Sequence, residues 1–471
     1  MSIKKEYPFW LFILFPAITM MLGWGLRGHI GGGPFGAMIP GALVAMSLSM
    51  LLKLPPGMAS VFVLFGAIGI GLGGEMTYGQ TLGFLKNPET QWWGTLGITV
   101  KGAVWGLLGG AVLGVGLVYR SIPKKNIIIG FLLLLAGMLV GFKLINQPMV
   151  IYFSDRTNPR PESWEALLVG AEVLLIYLKN IIKDDSFKVI LRFVRWGFIG
   201  GGLGFGLGGF WMVLGFNLPS DMIFQNWWKA MEFTFGLLFG GFLGYAAWLC
   251  RWEIDAGSDS GEAESRSAES ASSFKTILQE LAVTLVAGLL IYWVFSVWLD
   301  PVVEAGKGIR GFTLPGLRDL AILGSNFAFF GLILILALMR FPATAWQLAV
   351  TLTFCHSAID LMSDWYPDSS TNSPVVIRTA WILGMTLVVA VLTAIFQRRE
   401  NRLHNLFLLL VWSSVGISFL RLFINPATLS VSGLSFSQIV FGRFIVDIFF
   451  LISALVVTWI SSHRFYRVNS K

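Results

Sequence analysis

The chain reads as an all-α, polytopic integral membrane helix bundle with about fourteen transmembrane helices. Mean hydropathy is +0.73. Of the 471 residues 55% are hydrophobic and 13% charged, where water-soluble domains carry roughly 25% charged residues. Apolar stretches of about 20 residues, the length that crosses a hydrocarbon core, follow one another along nearly the whole sequence.

In order, spans are predicted near 8–27, 33–52, 58–82, 95–119, 126–146, 164–182, 192–216 and 230–250. A second set is predicted near 276–299, 317–339, 343–362, 375–396, 404–424 and 438–461. The first span follows Lys4 and Lys5 and lacks a small-residue cleavage signal, so it is expected to stay in the mature protein. Between the two sets, Glu253 to Ser273 sets acidic residues among serines and glycines. Such a composition cannot bury enough apolar surface to fold. The expected organisation is an eight-helix bundle over 1–252, an acidic cytoplasmic linker over 253–273 and a six-helix bundle over 274–471.

Lys and Arg collect on the cytoplasmic side of a membrane protein. Counted from a cytoplasmic N-terminus, Lys53, Arg120, Lys124, Lys183, Arg251, Arg398 and Arg464 fall on one side, while Arg156, Arg160, Lys307 and Arg310 fall on the other. The net charge of +8 is thus read as a topogenic signal in a cell (inner) membrane, with both termini cytoplasmic. Lipid is the implied partner and nucleic acid is not. Cys250 and Cys355 lie far apart in or beside apolar spans, which suggests neither a disulfide framework nor a thiolate metal site. No cofactor or metal is implied.

A shift of 135 residues aligns Gly69, Gly71, Leu72, Gly73 and Gly74 with Gly204, Gly206, Leu207, Gly208 and Gly209, and Trp92 and Trp93 with Trp227 and Trp228. Spans 1–4 and 5–8 then read as parallel repeats over about 1–120 and 121–251, an arrangement from which some transporters are built. The glycine spacings have a second reading as sites where helix backbones approach closely. The tryptophan pairs are expected at the membrane interface, where an apolar ring meets a wet edge.

Ionisable residues at bilayer depth are costly, so they face a wet cavity or a partner. Arg27 and His29 lie in the run Gly23 to Pro34, whose glycines can turn backbone amides towards an anion. Glu75 follows the glycine run of span 3, and its repeat counterpart is Phe210. Glu75 is read as a proton carrier or as the partner of Arg27. Lys101 and Glu232, one turn apart after alignment, are expected to pair or relay a proton, and Arg443 and Asp447 to form a local helical pair. His356, Asp360 and Asp364 fall at i, i+4 and i+8 on one helix face, which suits proton transfer or an outer polar cap and supplies too few ligands for a closed metal site.

These features favour a secondary transporter or permease, proton-coupled, for a small anionic or polar substrate. No Gly-x-x-x-x-Gly-Lys-Ser/Thr loop occurs, so ATP hydrolysis is not expected on this chain. The competing readings are an intramembrane transferase acting on lipid-linked substrates at the outer leaflet, and a non-catalytic scaffold subunit. No catalytic residue is assigned.

Overall fold

The computed structural model describes residues 7–155, 162–219, 224, 226–255, 274–292, 342–365, 372–424 and 431–466. Among them every regular element is a helix. The N-terminal part holds α1 (Phe9–Ile30), α2 (Gly33–Leu51), α3 (Pro56–Leu72), the short α4 (Gly79–Gly83), α5 (Gln91–Val118), α6 (Lys124–Gly141), α7 (Trp164–Ile181), α8 (Ser186–Asn217) and α9 (Trp227–Asp255). Then come α10 (Phe274–Tyr292), α11 (Thr353–Trp365), α12 (Asn372–Phe396), α13 (Arg402–Ile424) and α14 (Ile445–Arg464).

Ten helices in the described residues are long and apolar enough to cross a membrane. The predicted spans without a counterpart among these ten have identifiable causes. Span 164–182 is helical as α7 but holds Glu165, Glu172 and Lys179. Span 343–362 is interrupted by a π turn over Gln347–Leu352 that leads into α11. Span 276–299 is described only to Tyr292, as α10. Span 317–339, residues 256–273 of the linker, and Arg156, Arg160, Lys307 and Arg310 lie outside the described residues.

Helix α2 is buried on every face from Phe35 to Leu51, as expected of a helix that is apolar all round. It lies between α1 and α3, and α11 and α13 of the C-terminal part also rest on it. Helix α1 is packed by α2, α9, α13 and α14, while α5 packs against α3 and α8. Exposed apolar side chains such as Leu132 and Leu139 on α6, Val388 and Ile395 on α12, and Ile452 and Leu455 on α14 mark the outward faces.

Glycines set the closest helix crossings. On α5, a β-carbon at Gly102 would run into the Gly201 carbonyl of α8, and one at Gly106 into that of Gly197. A second face of α8 brings Gly200 and Gly204 against Phe242 and Phe235 of α9. On α9, Gly236, Gly240 and Gly244 meet the backbone of α1 at Met20 and Met21, Pro16 and Phe12. Four-residue spacing of small residues is the pattern by which membrane helices maximise van der Waals contact.

The two ends of the bundle differ in chemistry. At one end the Tyr7 hydroxyl donates to the Arg464 carbonyl at 3.4 Å, Lys53 lies over the Tyr7 ring, Ser121 meets Ser186 at 3.0 Å and Arg192 bonds Glu253. This end is rich in Lys and Arg. Arg27, Lys101, Glu162, Glu165 and Glu232 are buried towards the other end, while Glu280, paired with Arg398, and His404, beside Tyr466, are buried at this one.

Candidate functional site

Near its C-terminus, α1 directs Arg27 inward. The residue is 5% exposed, and its Nη1 donates to the Tyr78 hydroxyl at 2.6 Å. Its guanidinium carbon lies 5.4 Å from the Trp24 ring centre, 5.7 Å from Tyr78 and 5.3 Å from Trp105. A guanidinium is less strongly hydrated than an ammonium and stacks on aromatic faces, which allows it this aromatic enclosure. Behind it, Trp24 packs on Trp105 and Phe235 with centroids 4.8 and 4.3 Å apart. The Arg27 Nε and Trp24 Nε1 donors are both buried without a hydrogen-bond partner.

Tyr78 joins Arg27 to α9. Its ring stacks on Trp228 at 5.8 Å, and Trp228 Nε1 donates to Glu232 Oε1 at 3.0 Å. The other oxygen of Glu232 accepts from Lys229 Nζ at 2.6 Å. Lys229 also donates to the Gly25 carbonyl at 3.3 Å, so the circuit closes on α1. Gly28 abuts the Glu232 carboxylate, so that a β-carbon there would displace it. The group contains two cations, Arg27 and Lys229, and one carboxylate, Glu232.

A second network surrounds Lys101 of α5. Its Nζ donates to Glu162 Oε1 at 2.8 Å, the Thr81 hydroxyl at 2.7 Å and the Thr77 carbonyl at 2.8 Å, with the two side chains 1% and 0% exposed. Glu162 also accepts from the Ser154 hydroxyl, the Phe153 amide and Trp164 Nε1 at 2.6, 2.8 and 3.2 Å. Ser163 is left-handed at φ +56°, with its amide donating to Asn146 Oδ1 at 3.3 Å. A non-glycine residue in that region costs of order 1–3 kcal/mol, so the surrounding contacts hold the turn in place.

A third group gathers at the Gly31 corner. Arg421 of α13 donates to the His29 carbonyl, and the His29 ring stands 3.7 Å from Asp447 of α14. Gly31, at φ +152°, faces α11, where a β-carbon would stand 3.1 Å from His356 Nε2 and 3.7 Å from Asp360. Asp364 follows one turn further along α11.

Two sequence expectations are corrected here. Lys101 and Glu232 do not pair with each other: Lys101 is bound by Glu162 and Glu232 by Lys229, because the alignment carried no information on Glu162, which Phe153 and Ser154 hold against Lys101 of α5. Arg27 bonds Tyr78 rather than Glu75, which lies half-buried in the 3₁₀ turn Gly73–Glu75. Glu162, Glu165, Tyr78 and Lys229 were not singled out from the sequence. For Lys229 a signal was legible, its i,i+3 spacing to Glu232. Trp228 also does more than mark an interface, since it binds Glu232, whereas Trp92 is 66% exposed.

A recess of about 530 Å³ lies elsewhere, lined by Gln91, Trp92, Thr95, Leu96, Thr99, Phe210 and neighbours. It is walled by apolar side chains and hydroxyl or amide groups, with no ionisable residue in its lining. No known protein family, no curated protein and no solved structure matches this chain. What the buried groups can do follows from their chemistry alone.

Proposed function

We propose that the protein is a secondary transporter or permease for a small anion, bound at Arg27. One observation carries the reading: among the described residues, a buried guanidinium has no carboxylate in salt-bridge reach, beside an unpartnered indole N–H, in a group with one cation in excess. Burying an unpaired charge and leaving buried donors unsatisfied are both costly. An anion accepting from Arg27 Nε and Trp24 Nε1 would remove both costs, and a guanidinium suits carboxylate or phosphate geometry.

In this reading the basic end faces the cytoplasm, fourteen spans cross a cell membrane, and the glycine-rich halves around α3–α5 and α8–α9 are the repeats. The glycine crossings of α5, α8, α9 and α1 support helices able to slide past one another. Glu75, His29, His356 and Asp360 line the approach from the opposite end, with the Gly31–Gly33 corner as its mouth. The transferase alternative is weaker, since the recess beside Trp92 offers no acid, base or cation for chemistry.

The test is anion counterflow in proteoliposomes across a panel of small carboxylates and phosphates. At least one anion is expected to exchange, with Arg27→Gln abolishing its uptake and Arg27→Lys, which loses the forked geometry, lowering it at least tenfold. Unchanged exchange in Arg27→Gln would sink the assignment.

A further inference from the structure

We infer that Glu165 is the residue on which this protein takes up and releases a proton, in a site shared with Lys101 and Glu162. Glu165 opens α7 and is 1% exposed. Both of its carboxylate oxygens are buried, and neither makes a hydrogen bond to another of the described residues. Among the described residues, Lys101 and Glu162 are the charged side chains whose fields reach it. On the elements packed against α7, Lys143 of the π turn Phe142–Asn146 is exposed, and Lys124 and Lys125 lie exposed at the far end of α6. Glu172 and Lys179 of α7 itself are also exposed.

The ligand follows from counting. With both acids ionised, the trio holds one carboxylate in excess of its ammonium. All of Glu162 is committed, to Lys101, Ser154, Phe153 and Trp164. Only the two oxygens of Glu165 are uncommitted, too few for a hard metal cation that takes about six oxygens. A proton needs one. Uptake forms an O–H bond on one Glu165 oxygen as hydronium gives up the proton and leaves as water, and the trio becomes neutral with the Lys101–Glu162 pair intact.

The two buried networks meet in consecutive residues. The Thr77 carbonyl accepts from Lys101 and the Tyr78 hydroxyl accepts from Arg27. An ionised Glu165 draws on the Lys101 ammonium and weakens its hold on Thr77, whereas a neutral Glu165 leaves that hold intact. The charge at Glu165 therefore biases the segment that holds Arg27, which is a route for coupling proton and anion. This coupling, unlike the proton site itself, rests on the transport reading above.

Difference infrared spectroscopy of the full chain in lipid nanodiscs, between alkaline and acidic buffer, tests the proton site without any anion. A protonated-carboxyl band is expected in the wild type, to be lost in Glu165→Gln and kept in Glu172→Gln. Absence of the band from the wild type, or its survival in Glu165→Gln, overturns the proton site. Should Glu165→Gln not fold, Glu165→Asp must shift the band, and an unshifted band overturns the site equally. For the coupling, Glu165→Gln proteoliposomes are expected to exchange anion but to lose uphill accumulation driven by a pH gradient. Retained accumulation overturns the coupling and leaves the Arg27 site standing.

Discussion

Lys229 and Glu232 share one turn of α9, and their separation costs more than their joint removal. Glu232 is buried and Lys229 half-buried, with the Lys229 ammonium 2.6 Å from the carboxylate. Lys229→Ala leaves Glu232 ionised and uncompensated beside Gly28, which for a buried pair costs about 3–5 kcal/mol. The double variant Lys229→Ala/Glu232→Gln removes the charge as well as its partner and is expected to recover most of that loss. Thermal unfolding in detergent checks both, and equal destabilisation by single and double variants would show that the Lys229 stem, not its charge, matters. The sequence placed Glu232 within the predicted span 230–250 and left Lys229 just before it. It did not show that Tyr78, 51 positions from Arg27, supplies the contact that turns Arg27 inward, since hydroxyl and guanidinium meet only through the crossing of α1 with the segment before α4.

At the scale of helices, glycine distribution decides how near the backbones come. Gly106 and Gly197 are in direct contact across the α5–α8 crossing, so a larger residue at either must push the axes apart. Gly106→Leu is expected to destabilise by several times the cost of an ordinary surface change, which stays within about 0.5 kcal/mol. Gly384 of α12 faces open space, and Gly384→Ala is expected to be neutral or stabilising by up to about 1 kcal/mol, the helix-propensity gain. A melting series in one detergent compares them, and equal sensitivity at the two positions would remove the packing role assigned to the crossing. Glycine spacing in the sequence pointed to close approach. Which glycine meets which helix was hidden, because α8 carries glycines on two faces and only the assembled bundle shows that Gly197 and Gly201 serve α5 while Gly200 and Gly204 serve α9.

Across the whole molecule, the cation-rich end gathers the helix ends that charge counting assigned to the cytoplasm. Lys53 over Tyr7, Ser121 beside Ser186 and Arg192 with Glu253 bring five separate stretches to that end. At the other end, exposed Asn87 follows Lys86, which lies over Phe216 at the end of α8. Cys250 and Cys355 are both buried and can be replaced by Ala as a labelling background. A cysteine at Asn87 is then expected to react with an impermeant maleimide on intact cells, and one at Ser121 only after permeabilisation. The reverse pattern would invert the orientation and with it the side from which an anion reaches Arg27.

The sequence by itself determined the solvent of this protein and its helical class, because hydropathy over about 20 residues and the cost of an unbonded backbone in lipid are properties of each stretch alone. It also marked some of the charges that sit too deep to be ordinary, Arg27, Lys101 and Glu232, and passed over Glu162 and Glu165. Which charges are paired was decided only by the tertiary structure. Arg27, Lys101 and Glu165 take their roles from groups many residues distant that helix packing brings within a few ångströms, and at that separation in a low-dielectric interior the neighbour, not the residue type, sets what a charge can do.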